Sequence, residues 1–234
     1  MVEVYLCRLP KVRDDTSLHQ LLRILSSEKQ NRIKKMKFLD DQYRSLIGEL
    51  LIRYIASKKL ALTNEDFKFS SNSFGKPFIQ SYPSFHYNIA HSGEWVVCAI
   101  HNEEVGIDIE MIKPIDKSSI YKLLEGEEVN YITKKKTLAA FYDIWTLKES
   151  YVKAIGKGLS LPLQSFLVRI KNEDQIDLID RKDNNIIENA KCTLYKMCNG
   201  YRLSTCIIIK NNALVQTSYN YLSFEKIYNR FFNF

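Results

Sequence analysis

The chain has 234 residues, enough for one large domain or two modest ones with a buried core. With 45% hydrophobic and 26% charged residues it has an ordinary globular composition, and no apolar run approaches the about eighteen residues a bilayer span needs. A net charge of +7 suits phosphorylated small molecules or acidic proteins as partners, while the lack of zinc-finger spacing, RNP aromatics or basic heptads argues against nucleic acid.

In chain order, VEVYLCRL opens as a strand, with no basic stretch and apolar run of the signal-peptide kind, so the expected compartment is the cytoplasm. Leu18, Leu21, Leu22 and Leu25 recur at helical spacing. Ser26–Ser27 then caps a short second helix over EKQNRIKKM, and a longer one runs from Asp40 to about Lys58. FKFS, FHYNIAHS, EWVVCAIH and VGIDIE are predicted strands separated by turn residues. The second half repeats the plan, with helical segments from Ser118 to about Ile155. Strands follow at Leu167–Ile170, Lys191–Met197, Tyr201–Lys210 and Leu214–Leu222, then an aromatic tail. The class is α+β with mostly antiparallel sheets, divided near residue 105 into halves 1–105 and 106–234. Five cysteines (Cys7, Cys98, Cys192, Cys198, Cys206) form no CxxC pair, and Cys98 and Cys206 lie in apolar runs, so buried reduced thiols are expected.

Two stretches carry acids in unusual places. In VGIDIE, Val105, Ile107 and Ile109 share one strand face, while Gly106, Asp108 and Glu110 share the other. Two acids roughly 7 Å apart on that face repel by about 2 kcal/mol at an effective dielectric near 20. A solvated face is one answer to that repulsion, and a hard cation is another. On the helix around Trp145–Ile155, Ala140, Ile144, Leu147, Tyr151 and Ile155 form the core stripe. Glu149 and Lys153 lie one turn apart on the opposite side, which suits either a surface ion pair or a site. The turn that follows, AIGKGLSLPL, holds two glycines and a proline, and favours the site.

Two further stretches suit phosphate. FGKPFI is a Gly-Lys-Pro turn, open at Gly75 and stiff at Pro77, with Lys76 expected free to reach out. In NIAHSGEW, His91 ends an alternating strand just before Ser92–Gly93. No second histidine stands at zinc spacing, and neither a catalytic triad order nor a Walker or Rossmann glycine pattern is present.

GKP, NIAHSGEW, GIDIE and WTLKESYVKAIGKGLSLPL, in this order, resemble the 4'-phosphopantetheinyl transferase superfamily. The similarity is to its longer Sfp-type branch and spans about residues 26–170. The resemblance implies a pseudo-dimer of two similar α+β halves with coenzyme A in the cleft between them. It implies transfer of the phosphopantetheine arm of coenzyme A to a serine of an apo acyl or peptidyl carrier protein, as in fatty-acid, polyketide or nonribosomal peptide synthesis. Asp108, Glu110 and Glu149 match the family's Mg2+-binding acids, and Glu149 also its general base. Lys153 matches the lysine on the phosphate under attack. Lys76 and Pro77 match the turn at the nucleotide end, and His91 a contact to the 3'-phosphate. Lys29 and Arg32 match a basic pair near that phosphate, and Arg44 and Ser45 an Arg–Thr pair. Ala90 departs from the pattern, which often has serine there, so a phosphate contact at that position would come from the backbone. A monomer without membrane or nucleic-acid partners is expected. A Mg2+-dependent phosphohydrolase could use the same acids, and a non-catalytic coenzyme A or carrier-binding module is a third possibility.

Overall fold

The computed structural model describes every residue except 117, 119–122, 125, 173–174, 198–199, 211–215 and 233–234. Strand β1 (Val2–Arg8) leads to helices α1 (Asp15–Leu22), α2 (Ser27–Lys34) and α3 (Leu39–Lys59). The hairpin β2 (Phe69–Ser71) and β3 (Pro77–Ile79) follows, then β4 (His86–Ser92), β5 (Trp95–His101) and β6 (Glu104–Met111). Next come α4 (Glu127–Lys135), α5 (Leu138–Ile155) and the hairpin β7 (Phe166–Ile170) and β8 (Ile176–Asp180). The chain closes with β9 (Ala190–Met197), β10 (Tyr201–Ile208), β11 (Thr217–Leu222) and α6 (Phe224–Phe232). Parts of the spans expected to start at Ser118 and Leu214, together with Cys198, lie outside the described residues.

Local chemistry sets the helix ends. The Asp14 carboxylate accepts from the Ser17 N–H at 2.8 Å and caps α1, and Ser26 caps α2 through the Lys29 N–H. Helix α3 has Asp40 and Asp41 in its first turn and Lys58 and Lys59 in its last, complementing its dipole.

One sheet has the order β11-β1-β5-β4 and a second the order β6-β10-β9. All their pairings are antiparallel except β1 with β11, which run parallel from Val2↔Thr217 to Cys7↔Leu222. The end of the chain therefore returns to the first sheet, and α6 buries Ile227 in that sheet's helix-side core. Strand alternation produces the layers. Val96, Cys98 and Ile100 of β5 pack with Leu46, Ile47, Leu50 and Leu51 of α3. Val97 and Ala99 face the opposite way, into a core between the sheets with Val105, Ile107 and Ile109 of β6. Beyond the second sheet, Ile144, Leu147 and Tyr151 of α5 meet Phe166, Val168 and Leu178.

The β4 and β6 edges are joined by side chains. The Ile107 N–H donates to Asn88 Oδ1 at 3.0 Å, and the Met111 N–H to Ser92 Oγ at 3.0 Å. Asn88 and Ser92 lie four residues apart, as do their partners, so two β4 side chains stand in for a strand ladder along β6. Among the described residues no helix is long and apolar enough to cross a membrane.

Candidate active site

The aliphatic face of VGIDIE fills the core between the sheets, and its acid face lies under α5. The approach is very close at Gly106, where a Cβ would stand 2.0 Å from Ser150 O and 2.4 Å from Ala154 N. Only glycine fits there. Helix α5 runs antiparallel over β6, which puts Lys153 above Asp108.

Lys153 Nζ donates to Asp108 Oδ1 at 2.6 Å, so the lysine pairs across to the strand rather than within its own helix. Asp108 is 4% exposed, and its other oxygen, Oδ2, is buried with no hydrogen-bond partner. Burial pushes the Asp108 carboxyl up to about 7; Lys153 opposes that shift, while Glu110 and Glu149 add to it. Glu149 is also raised, first by desolvation and further by Glu110, with Lys153 opposing. Three carboxyl groups thus feel one another around one ammonium. Ser92 Oγ donates to Glu110 Oε2 at 2.9 Å.

A cation site fits this arrangement: the orphaned Asp108 oxygen and the mutual repulsion of the acids both call for positive charge beyond Lys153. As they stand, no three His, Cys, Asp or Glu side chains among the described residues are gathered closely enough to hold an ion, and Lys153 is the cation at Asp108.

Cationic groups border the acids. Arg44 Nη1 donates to Gly93 O at 2.8 Å and Nη2 to Asp41 Oδ1 at 2.6 Å. His91 is exposed, yet it is held below its ordinary pKa by desolvation and then by the Arg44 and Lys153 charges. Its imidazole is neutral at pH 7 and available as a donor. Ser45, half-buried, is next to Arg44 on α3.

Lys76 is a correction: it is not free to reach out, because Nζ donates to Glu104 Oε2 at 2.5 Å and to Ala154 O at 2.8 Å. Burial lowers its pKa, and the helix-end carbonyl and Glu104 take up its hydrogens. Glu104 opens β6 four residues before Asp108, about 13 Å away along the strand. Beside it, Pro77 lines a cavity of about 230 Å³ with Asn72, His86 and Glu104. Lys29 leans on Glu49 at 3.7 Å, one turn along α3 from Ser45, and Arg32 is exposed on α2. Ala90 is buried between the sheets, so a serine hydroxyl at that position would face the interior.

Sequence reasoning assigned no role to Ser92 or Tyr201. Ser92 stood inside the quoted NIAHSGEW, but a strand-end serine gives no sign of its distant partner. Lys148, also inside a quoted block, is 1% exposed and paired with the equally buried Glu128 at 2.7 Å.

Comparison with known proteins bears on this geometry. The family model described as 4'-phosphopantetheinyl transferase, N-terminal, matches residues 13–103, and that of the 4'-phosphopantetheinyl transferase superfamily matches 104–206. The 4'-phosphopantetheinyl transferase gsp of Aneurinibacillus migulanus is 35% identical over 236 aligned positions, covering 99% of this chain and 95% of the relative. The 4'-phosphopantetheinyl transferase Sfp of Bacillus subtilis (strain 168) is 34% identical over 192, covering 80% and 84%. The crystal structure of Thermotoga maritima holo-[acyl-carrier-protein] synthase aligns with 46% of this chain and 64% of its own at 21% identity, with a TM-score of 0.40. The chain belongs to the 4'-phosphopantetheinyl transferase superfamily, in its Sfp-type branch.

Proposed function

We propose that this protein transfers the 4'-phosphopantetheine arm of coenzyme A to a serine of an apo acyl or peptidyl carrier protein. The observation that carries the mechanism is the Lys153–Asp108 pair between α5 and β6, with the second Asp108 oxygen buried and unpartnered and the charges of Glu110 and Glu149 acting on it. Asp108, Glu110 and Glu149 are the residues that would hold Mg2+. When bound, that ion would neutralise charge on the coenzyme A pyrophosphate.

Glu149, with its proton affinity raised by burial, takes the proton from the serine hydroxyl. The serine Oγ–P bond forms at the phosphoryl group carrying the pantetheine arm. The P–O bond of the pyrophosphate breaks, and adenosine 3',5'-bisphosphate leaves with that bonding pair. Lys153 stabilises the charge that builds on the phosphoryl oxygens. Arg44 and neutral His91 donate hydrogen bonds to anionic groups at the nucleotide side. Ser45, Lys76, Pro77, Lys29 and Arg32 serve the nucleotide end of the same ligand, with Lys76 acting from its bonded position beside the 230 Å³ cavity. The halves of this enzyme are 1–105 and 106–234 in chain order, with residues 217–232 packed back on the first. The reading puts a monomer in the cytoplasm, in keeping with the free thiols of Cys7, Cys98, Cys192 and Cys206.

The test is to incubate the protein with Mg2+, coenzyme A and an apo carrier protein, then weigh the carrier. The carrier should gain the mass of one phosphopantetheine arm. A carrier with its serine changed to alanine should gain nothing. Breakdown of coenzyme A at the same rate with no carrier present would overturn the proposal in favour of hydrolysis.

A further inference from the structure

The turn between β4 and β5 is pinned from both halves of the molecule. Ser92 Oγ accepts the Met111 N–H at 3.0 Å and donates to Glu110 Oε2 at 2.9 Å. Gly93 O accepts from Arg44 on α3 at 2.8 Å. The Glu94 N–H donates to the hydroxyl of Tyr201, a 5%-exposed residue of β10, at 3.1 Å. Gly93 has φ +54°, and a Cβ there would stand 2.2 Å from that hydroxyl, so the turn lies hard against Tyr201.

These contacts leave Ser92 little choice. A serine hydroxyl has one hydrogen. With Met111 donating to the oxygen from one side, the hydrogen points to Glu110. Glu110 needs such a tether, because it shares a strand face with Asp108 and is repelled by Glu149. Untethered, this half-buried carboxylate would swing toward solvent and away from the other two acids.

We infer that Ser92 is a positioning residue: its hydroxyl, carried by the first half of the chain, holds the Glu110 carboxylate of the second half on the strand face it shares with Asp108. The inference rests on the reading of Asp108, Glu110 and Glu149 as ion ligands. The rigid turn that presents Ser92 to Glu110 also receives Arg44, so the nucleotide-side cation and the acid cluster share one support. Outer hydrogen bonds of this kind are typically worth about 10–100-fold in metal affinity.

The test uses the full chain and Mn2+ as a spectroscopic substitute for Mg2+, counting free ion by electron paramagnetic resonance. Ser92→Ala should weaken Mn2+ binding about 10–100-fold, and Ser92→Thr, which restores the hydroxyl, should return it to within about threefold of wild type. Ser92→Ala combined with Glu110→Gln should bind no more weakly than Glu110→Gln alone, since the tether then has nothing to hold. Near-ultraviolet circular dichroism checks each fold. Ser92→Cys, with a weak donor of similar size, replaces alanine if alanine unsettles the turn. Wild-type affinity in Ser92→Ala alongside a loss in Glu110→Gln would overturn the role of Ser92 alone. A further loss in the double variant would do the same. Failure of the wild type to bind Mn2+ at all would overturn this inference and the ion-ligand reading together.

Discussion

Gly106→Ala should damage both the stability and the chemistry of this enzyme. The new Cβ would meet Ser150 O at 2.0 Å, Ala154 N at 2.4 Å and the Lys153 carbonyl carbon at 3.0 Å, all of them backbone atoms of α5. Ordinary contact returns only if helix and strand part by roughly 1 Å or more, a gap that forfeits a quarter to a half of the dispersion well at each contact it opens. Overpacking of this kind costs about 1–3 kcal/mol, and backbone on both sides leaves no flexible side chain to yield, which argues for the upper end. Relief of glycine's backbone entropy offsets about 0.5–1 kcal/mol, leaving a net loss of about 2 kcal/mol or more. Urea unfolding followed by the fluorescence of Trp95 and Trp145 should show the midpoint falling by roughly 1 M, for a slope near 2–3 kcal/mol/M. The same parting would stretch the 2.6 Å Lys153–Asp108 bond out of range, so the folded fraction should also lose about 100-fold in turnover. A midpoint within about 0.3 M of wild type, with normal turnover, would refute the close-approach argument.

Other expectations follow from the same cluster and from the buried pair behind it. With its carboxyl raised to about 7 against an unfolded value near 3.9, Asp108 contributes stability that is fully present below pH about 4 and lost as pH rises to about 7. In metal-free buffer the wild type should therefore lose stability across that window relative to Asp108→Asn, and parallel urea-unfolding curves would count against it. Glu149→Gln should cost about 10²–10⁴-fold in carrier labelling while coenzyme A still binds by calorimetry; labelling within tenfold of wild type would remove Glu149 as the base. Lys148→Met should break the buried Lys148–Glu128 pair and cost about 3–5 kcal/mol, with turnover per folded molecule unchanged. A loss under about 1 kcal/mol in denaturant would show that the pair matters little.

The part of the site that was legible in sequence is the part written in short-range pattern. Alternation in VGIDIE separated the core face from the acid face, and a helical wheel put Glu149 and Lys153 on one side. The wheel could not show that α5 is covered on two sides, by β6 and β10 on one and by Phe166 and Val168 on the other. Its Glu–Lys face therefore lies against a strand instead of open water, and Lys153 takes Asp108 as its partner. Lys76 was misjudged for a similar reason. Turn chemistry describes Gly75 and Pro77, whereas the groups that hold the ammonium, Glu104 and Ala154 O, lie 28 and 78 residues away. Strand β8 (IDLID) is not legible in sequence because Asp177 and Asp180, three residues apart, break the period-two alternation that marks a half-buried strand. Ala90, seen as a lost phosphate contact, belongs to the core between the sheets.

The parallel pairing of β11 with β1 has a consequence for synthesis. Strand β1 must keep one edge unsatisfied until some two hundred further residues have been made, because its neighbour on that side is residues 217–222. Both sheets can begin to assemble earlier, but the one that holds β1 is sealed only when β11 arrives. A stop codon before position 217 would leave that open edge on every molecule, and insoluble product should be its signature.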